Sequence, residues 1–110
     1  MADPVVIVAT FFPREGLHDS VHAIIAAAQT DVYQEPGCLL YALHEAPDRF
    51  VLIEKWASQA DLDAHGQSKA LAKLGEDLAP LVAAETEVIY LQQVPHGSKH
   101  PASEAKGADA

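Results

Sequence analysis

The stretch Cys38–Asp61 reads CLLYALHEAPDRFVLIEKWASQAD, and its periodicity decides the fold. Two apolar runs, CLLYALHEA and FVLIEKWA, flank the turn residues Pro47, Asp48 and Arg49, which is the signal of a β-hairpin. In the second run, strict alternation puts Phe50, Leu52, Glu54 and Trp56 on one face and Val51, Ile53, Lys55 and Ala57 on the other. In the first, it sets Leu39, Tyr41 and Leu43 against Cys38, Leu40, Ala42 and His44. Both faces of the hairpin are therefore largely apolar. A single layer of helices covers only one of them.

Directly after the hairpin the pattern changes to a helix start. Ser58 stands as N-cap with Asp61 three residues on, a variant of the capping box. Leu62 and His65 follow on one side, Gly66 interrupts, and a second helical segment runs from about Ser68 through Leu71, Leu74, Leu78 and Leu81, with Pro80 near its end. Upstream, Glu35-Pro36-Gly37 stops an earlier helix, because proline disfavours helical angles at Glu35 and Gly37 permits a positive φ. That helix carries Leu17, Val21, Ile24, Ile25, Ala28 and Val32 at three-and-four spacing. Before it, Val5–Phe12 is a β-branched and aromatic run suited to a strand covered on both faces. Thr86–Val94 reads as the last strand. The order β-α-β-β-α-β is the ferredoxin-like arrangement of the α+β class. Two such sheets packed face to face cover the second apolar face, so a homodimer is expected.

Residues 1–95 make one domain, and 110 residues leave no room for a second. Residues 96–110 contain no large apolar side chain and read as a disordered tail, with His96 and His100 in it. The net charge of −9 disfavours phosphate backbones and acidic lipid surfaces, so neither nucleic acid nor membrane is an expected partner. The single cysteine, Cys38, excludes an internal disulfide and a CxxC metal site, and it reads as a buried structural thiol. With no signal peptide and no membrane span, a cytoplasmic protein is expected. No GxGxxG stretch points to flavin or nicotinamide, so no cofactor and no metal are expected.

The segments EPGCLLYAL, FVLIEKWAS and DLDAH, with Ser68 shortly after, resemble the antibiotic biosynthesis monooxygenase family over roughly Val5 to Val94. The resemblance implies a dimeric α+β barrel, and agreement with the IEKW…LDAH pattern is best among quinol monooxygenase-like members. Heme-degrading members use an asparagine, a tryptophan and a histidine where this chain has Ala9, His65 and Gly75, so heme degradation is disfavoured. Polyketide-oxidising members use a tryptophan that matches Trp56. They also use an asparagine and a tyrosine where this chain has Leu52 and Leu62.

The resemblance thus implies cofactor-independent oxidation of a quinol or polycyclic phenol by O₂. Such chemistry needs a base to form the electron-rich anion and a pocket that excludes bulk water. His65 is the first candidate for the base, since an imidazole titrates near neutrality; the alternative is a helix-end histidine packed beside the sheet. Glu54 orients that base or forms a salt bridge. Trp56 stacks on an aromatic ligand or simply fills the core. Tyr41, Phe50 and His22 are candidates to border the substrate, while His44 reads as structural or exposed. Two other function classes stay open: an isomerase or lyase on a small oxo acid or signal molecule, and a non-enzymatic ligand-binding module.

Overall fold

Strand β3 (Arg49–Trp56) buries Phe50, Leu52, Glu54, Lys55 and Trp56 and lies inside the sheet, between β2 (Cys38–Ala46) and β1 (Val5–Phe11); β4 (Glu87–Gln92) pairs on the far side of β1. All pairings are antiparallel. The computed structural model describes residues 3–94; the segment read as a tail, with His96 and His100, lies outside them. Three helices complete the chain: α1 (His18–Val32), α2 (Gln59–Gly66) and α3 (Lys69–Leu78), the last continuing into a 3₁₀ turn over Ala79–Leu81. This is the expected ferredoxin-like α+β fold. Among the described residues no helix is long and apolar enough to cross a membrane.

The inner face of the sheet forms the core because its period-2 apolar residues meet the stripes of the helices. Val5, Ile7, Ala9 and Phe11 of β1 and Phe50, Leu52, Glu54 and Trp56 of β3 are all buried. Val21, Ile25 and Val32 of α1 are wholly inaccessible, and Leu74 and Leu78 of α3 close the layer. Each such aliphatic side chain contributes roughly 1.5–3 kcal/mol by leaving water.

One strand departs from simple alternation. The register of β2 against β3 shifts between Cys38 and Leu40, so that Cys38 lies opposite Trp56 and Tyr41 opposite Glu54. Both are buried on the inner face, and Leu39 is the extra residue between them. The expected grouping, with Cys38 on the face opposite Tyr41, is corrected by this bulge. β1 also differs from the expectation of two covered faces, since Val6, Val8 and Thr10 are only half-buried in the single chain.

The outer face is largely apolar, with the buried Lys55 set among its apolar side chains. Its cross-strand rows run Leu40, Lys55, Val6, Leu91 and then Ala42, Ile53, Val8, Ile89. Ile89 is 53% and Leu91 44% exposed.

Candidate functional site

A tight turn sets the geometry. Between α1 and β2, Gly37 adopts φ 79°, a conformation in which a side chain is strained. Its carbonyl accepts from Ala57 N–H at 2.8 Å, tying the turn to the end of β3. A Cβ at Gly37 would run into the side chain of Asp61 on α2. The turn therefore lies directly on one face of α2. Asp61 and His65 share that face, four residues apart. Asp61 meets Gly37, and His65 meets Glu35 one helical turn on.

The start of α2 is fixed in turn by Ser58, whose Oγ accepts from Asp61 N–H at 3.1 Å and donates its own proton to Asp61 Oδ2 at 2.9 Å. Ser68 caps α3 in the same way by accepting from Leu71 N–H at 3.1 Å. These caps leave α2 little freedom to rotate, and so orient His65.

His65 is 4% exposed and stands between two carboxyl groups. Its Nδ1 is 2.8 Å from Glu35 Oε1. A carboxylate only accepts, so Nδ1 carries the proton and donates it to this bond. The other nitrogen, Nε2, lies 3.9 Å from Glu54 Oε1, too far for a hydrogen bond. The Glu35 bond thus leaves Nε2 as the basic nitrogen. The Trp56 ring stacks on the imidazole with centroids 4.4 Å apart, and Tyr41 meets it edge-on at 5.9 Å. The Trp56 indole N–H donates to Glu54 Oε1 at 3.0 Å.

Burial pushes the Glu54 carboxyl above the ordinary carboxylate range, and the neighbouring Glu35 pushes it the same way; the Trp56 hydrogen bond and His65 oppose both. Burial likewise raises the Tyr41 phenol, with Glu54 and Glu35 adding to the effect, so this ring is held neutral. Glu35 keeps its second oxygen, Oε2, buried without a hydrogen-bond partner among the described residues. Histidine between two carboxyls, with an indole behind it, is an arrangement that can take up a proton and return it.

This cluster forms one end of a cavity of about 850 Å³ between the sheet and helices α2 and α3. His65, Glu54 and Tyr41 line that end. Ile7, Ala9, Phe11 and Leu52 form the floor, and Leu71, Leu74 and Leu78 the roof. Tyr90 of β4 also lines the cavity and is 68% exposed, marking an open side. A space of this size, mostly apolar with a few convergent polar groups, suits a small-molecule ligand.

The other candidates lie elsewhere. Trp56 is fully buried behind His65 and is not part of the wall. Phe50 shares the inner face but sits at the far end of β3, beneath His18 at 4.2 Å and His22 at 5.8 Å. His22 is exposed on α1 and does not reach the cavity, and His44 is exposed on β2. Among the described residues no group of three or more metal-ligating side chains is placed to hold an ion. The member of this cluster that sequence reasoning missed is Glu35. Its signal was a carboxylate placed in a Pro-Gly turn, which the local pattern explained as a helix stop alone.

Comparison with known proteins agrees with this fold. The antibiotic biosynthesis monooxygenase family matches residues 4–76. The solved structure of Rv0793 from Mycobacterium tuberculosis is 28% identical, covering 86% of this chain and 99% of that one, with a TM-score of 0.80. SO0527 from Shewanella oneidensis is also 28% identical, covering 84% and 93%, with a TM-score of 0.77. A structure described as an antibiotic biosynthesis monooxygenase is 26% identical, covering 83% and 99%, with a TM-score of 0.77. Among curated proteins none matches the sequence. With the match spanning most of the chain, this protein belongs to the antibiotic biosynthesis monooxygenase family.

Proposed function

We propose that the protein is a cofactor-independent monooxygenase that oxidises a quinol or polycyclic phenol with O₂. The observation that carries this reading is the buried His65 imidazole, held by Glu35 through Nδ1 at 2.8 Å on the wall of a mostly apolar cavity. A ring hydroxyl placed beside Nε2 gives up its proton to His65, and Glu35 stabilises the imidazolium that forms. The resulting anion passes an electron to O₂, and the radical pair recombines at a ring carbon. Loss of water then gives the hydroxyquinone: one oxygen atom enters the ring and the other leaves as water, so hydroquinone and O₂ balance hydroxyquinone and H₂O. Tyr41 and Glu54 border the reacting hydroxyl. Trp56 supports the imidazole from behind.

The functional unit in this reading is a homodimer, with the outer sheet faces packed on each other. Its support is the exposed apolar area of Ile89 and Leu91 beside Val6, Val8 and Ile53. A two-chain mass in sedimentation at micromolar concentration is the check.

The test of the activity is oxygen uptake with a panel of hydroquinones of one to three rings, repeated without O₂. Uptake above the spontaneous rate supports the reading. Turnover that persists anaerobically assigns proton-transfer chemistry instead, and binding without turnover in either atmosphere leaves a ligand-binding module.

A further inference from the structure

We infer that the cavity selects uncharged hydroxyarenes and rejects anionic ones, with Glu54 and Asp63 as the specificity-determining groups. The inference rests on the reading of this cavity as the substrate site. Its argument is the distribution of charge along the wall. Glu54 and Asp63 both line the cavity, Glu54 buried on the floor strand β3 and Asp63 on the exposed side of α2. Among the described residues the cationic side chains Arg14, Arg49, Lys55, Lys69 and Lys73 all lie off the wall. Three of them are bonded elsewhere: Arg14 Nε donates to the Pro80 carbonyl at 3.3 Å, Arg49 Nε and Nη2 each donate to Asp48 at 3.1 Å, and Lys73 donates to Asp77 at 2.7 Å.

His65 does not supply the missing positive charge. Any proton it gains is matched by the Glu35 carboxylate 2.8 Å away, with Glu54 Oε1 3.9 Å from the other ring nitrogen. A ligand that arrives with a negative charge therefore meets the Asp63 carboxylate and a buried Glu54 carboxyl whose charged form burial already disfavours, with no cationic side chain on the wall among the described residues. Desolvating that charge against an apolar floor adds to the penalty. A neutral hydroxyl is treated differently. Its proton passes to His65 within the site, so the anion and the imidazolium appear together and the net charge of the cavity is unchanged. The site thus tolerates the charge that the reaction makes and turns away the charge that a ligand brings.

The experiment is calorimetric titration of the full chain near neutral pH with a naphthol and the corresponding naphthoate, which share a ring system and differ in charge. The naphthol binds at least about tenfold more tightly, the level at which like-charge juxtaposition discriminates partners. Asp63→Asn retains the oxygen that accepts from Gln59 Nε2 at 2.9 Å. It raises naphthoate affinity about two- to fivefold, with a smaller effect on the naphthol, because an exposed charge is partly screened. Glu54→Gln keeps the acceptor for Trp56 and narrows the ratio further. Equal affinities, or tighter naphthoate, overturn the inference while leaving an aromatic site in place. A preference for the naphthol that neither substitution changes overturns the assignment to Glu54 and Asp63. Failure of both ligands to bind removes the substrate-site reading and the inference with it.

Discussion

Two histidines in this protein have nearly the same local geometry. His65 is paired with Glu35 at 2.8 Å and stacked on Trp56 at 4.4 Å. His18 is paired with Glu45 at 3.0 Å and stacked on Phe50 at 4.2 Å. Their surroundings differ. The His65 and Glu35 side chains are 4% and 18% exposed, and His65 lines the cavity; those of His18 and Glu45 are 30% and 66% exposed, at a surface corner of α1 and β2. Pairing and stacking alone therefore do not make a site. Burial is what gives the His65 pair its electrostatic weight, since an exposed pair is screened by water and salt. A cavity beside it gives the free nitrogen something to act on.

The largest expected difference between the two corners is in turnover. His65→Asn keeps an N–H that can donate to Glu35 but removes the basic nitrogen, and it lowers quinol-dependent oxygen uptake by about 10²–10⁴-fold, the usual range for a positioned base. His18→Asn leaves the rate within about twofold, the level expected away from the chemistry. Equal losses in both variants would break the distinction.

A smaller effect is expected in stability. Removing His65 with alanine leaves the half-buried Glu35 without its hydrogen-bond partner, at a cost of roughly 1–3 kcal/mol. The exposed pair His18–Glu45 contributes about 0–1 kcal/mol in a double-mutant cycle. Urea unfolding of both sets of variants reads the contrast.

The smallest effect sharpens the buried corner alone. Glu54 is pushed upward in the fold, so the folded chain holds that proton more tightly than the unfolded chain. Stability therefore declines as pH rises from the ordinary carboxylate range through the raised value. Glu54→Gln removes this contribution, and the stability difference between variant and native protein shifts in favour of the variant as pH rises. A difference that stays flat with pH would place the Glu54 proton outside the account.

Much of this was legible in the sequence, for reasons that are local. The alternation Phe50, Leu52, Glu54, Trp56 names the inner face of β3 because a strand repeats every two residues. Ser58 and Ser68 mark the starts of α2 and α3 because their hydroxyls satisfy first-turn N–H groups. Periodicity tells which face a residue occupies and not where along the strand a cavity lies. Phe50 and Glu54 share a face yet stand about 13 Å apart along it, which is why Phe50 packs under His18 and Glu54 reaches the cavity. The bulge at Leu39 was hidden, since an apolar run offers no change of pattern when one residue is inserted. Glu35 was hidden because its partner lies 30 residues away, on an element that the turn meets only in the folded chain.

On the proposed reading, the His65 wall of the cavity directs oxygen from O₂ onto a phenolic ring. The most direct measurement is turnover of a hydroquinone under ¹⁸O₂ with mass analysis of the product. One labelled oxygen is expected in the hydroxyquinone, formed by the native protein and His18→Asn at matching rates and suppressed in His65→Asn. Unlabelled product, or labelled product formed equally fast by His65→Asn, would contradict it.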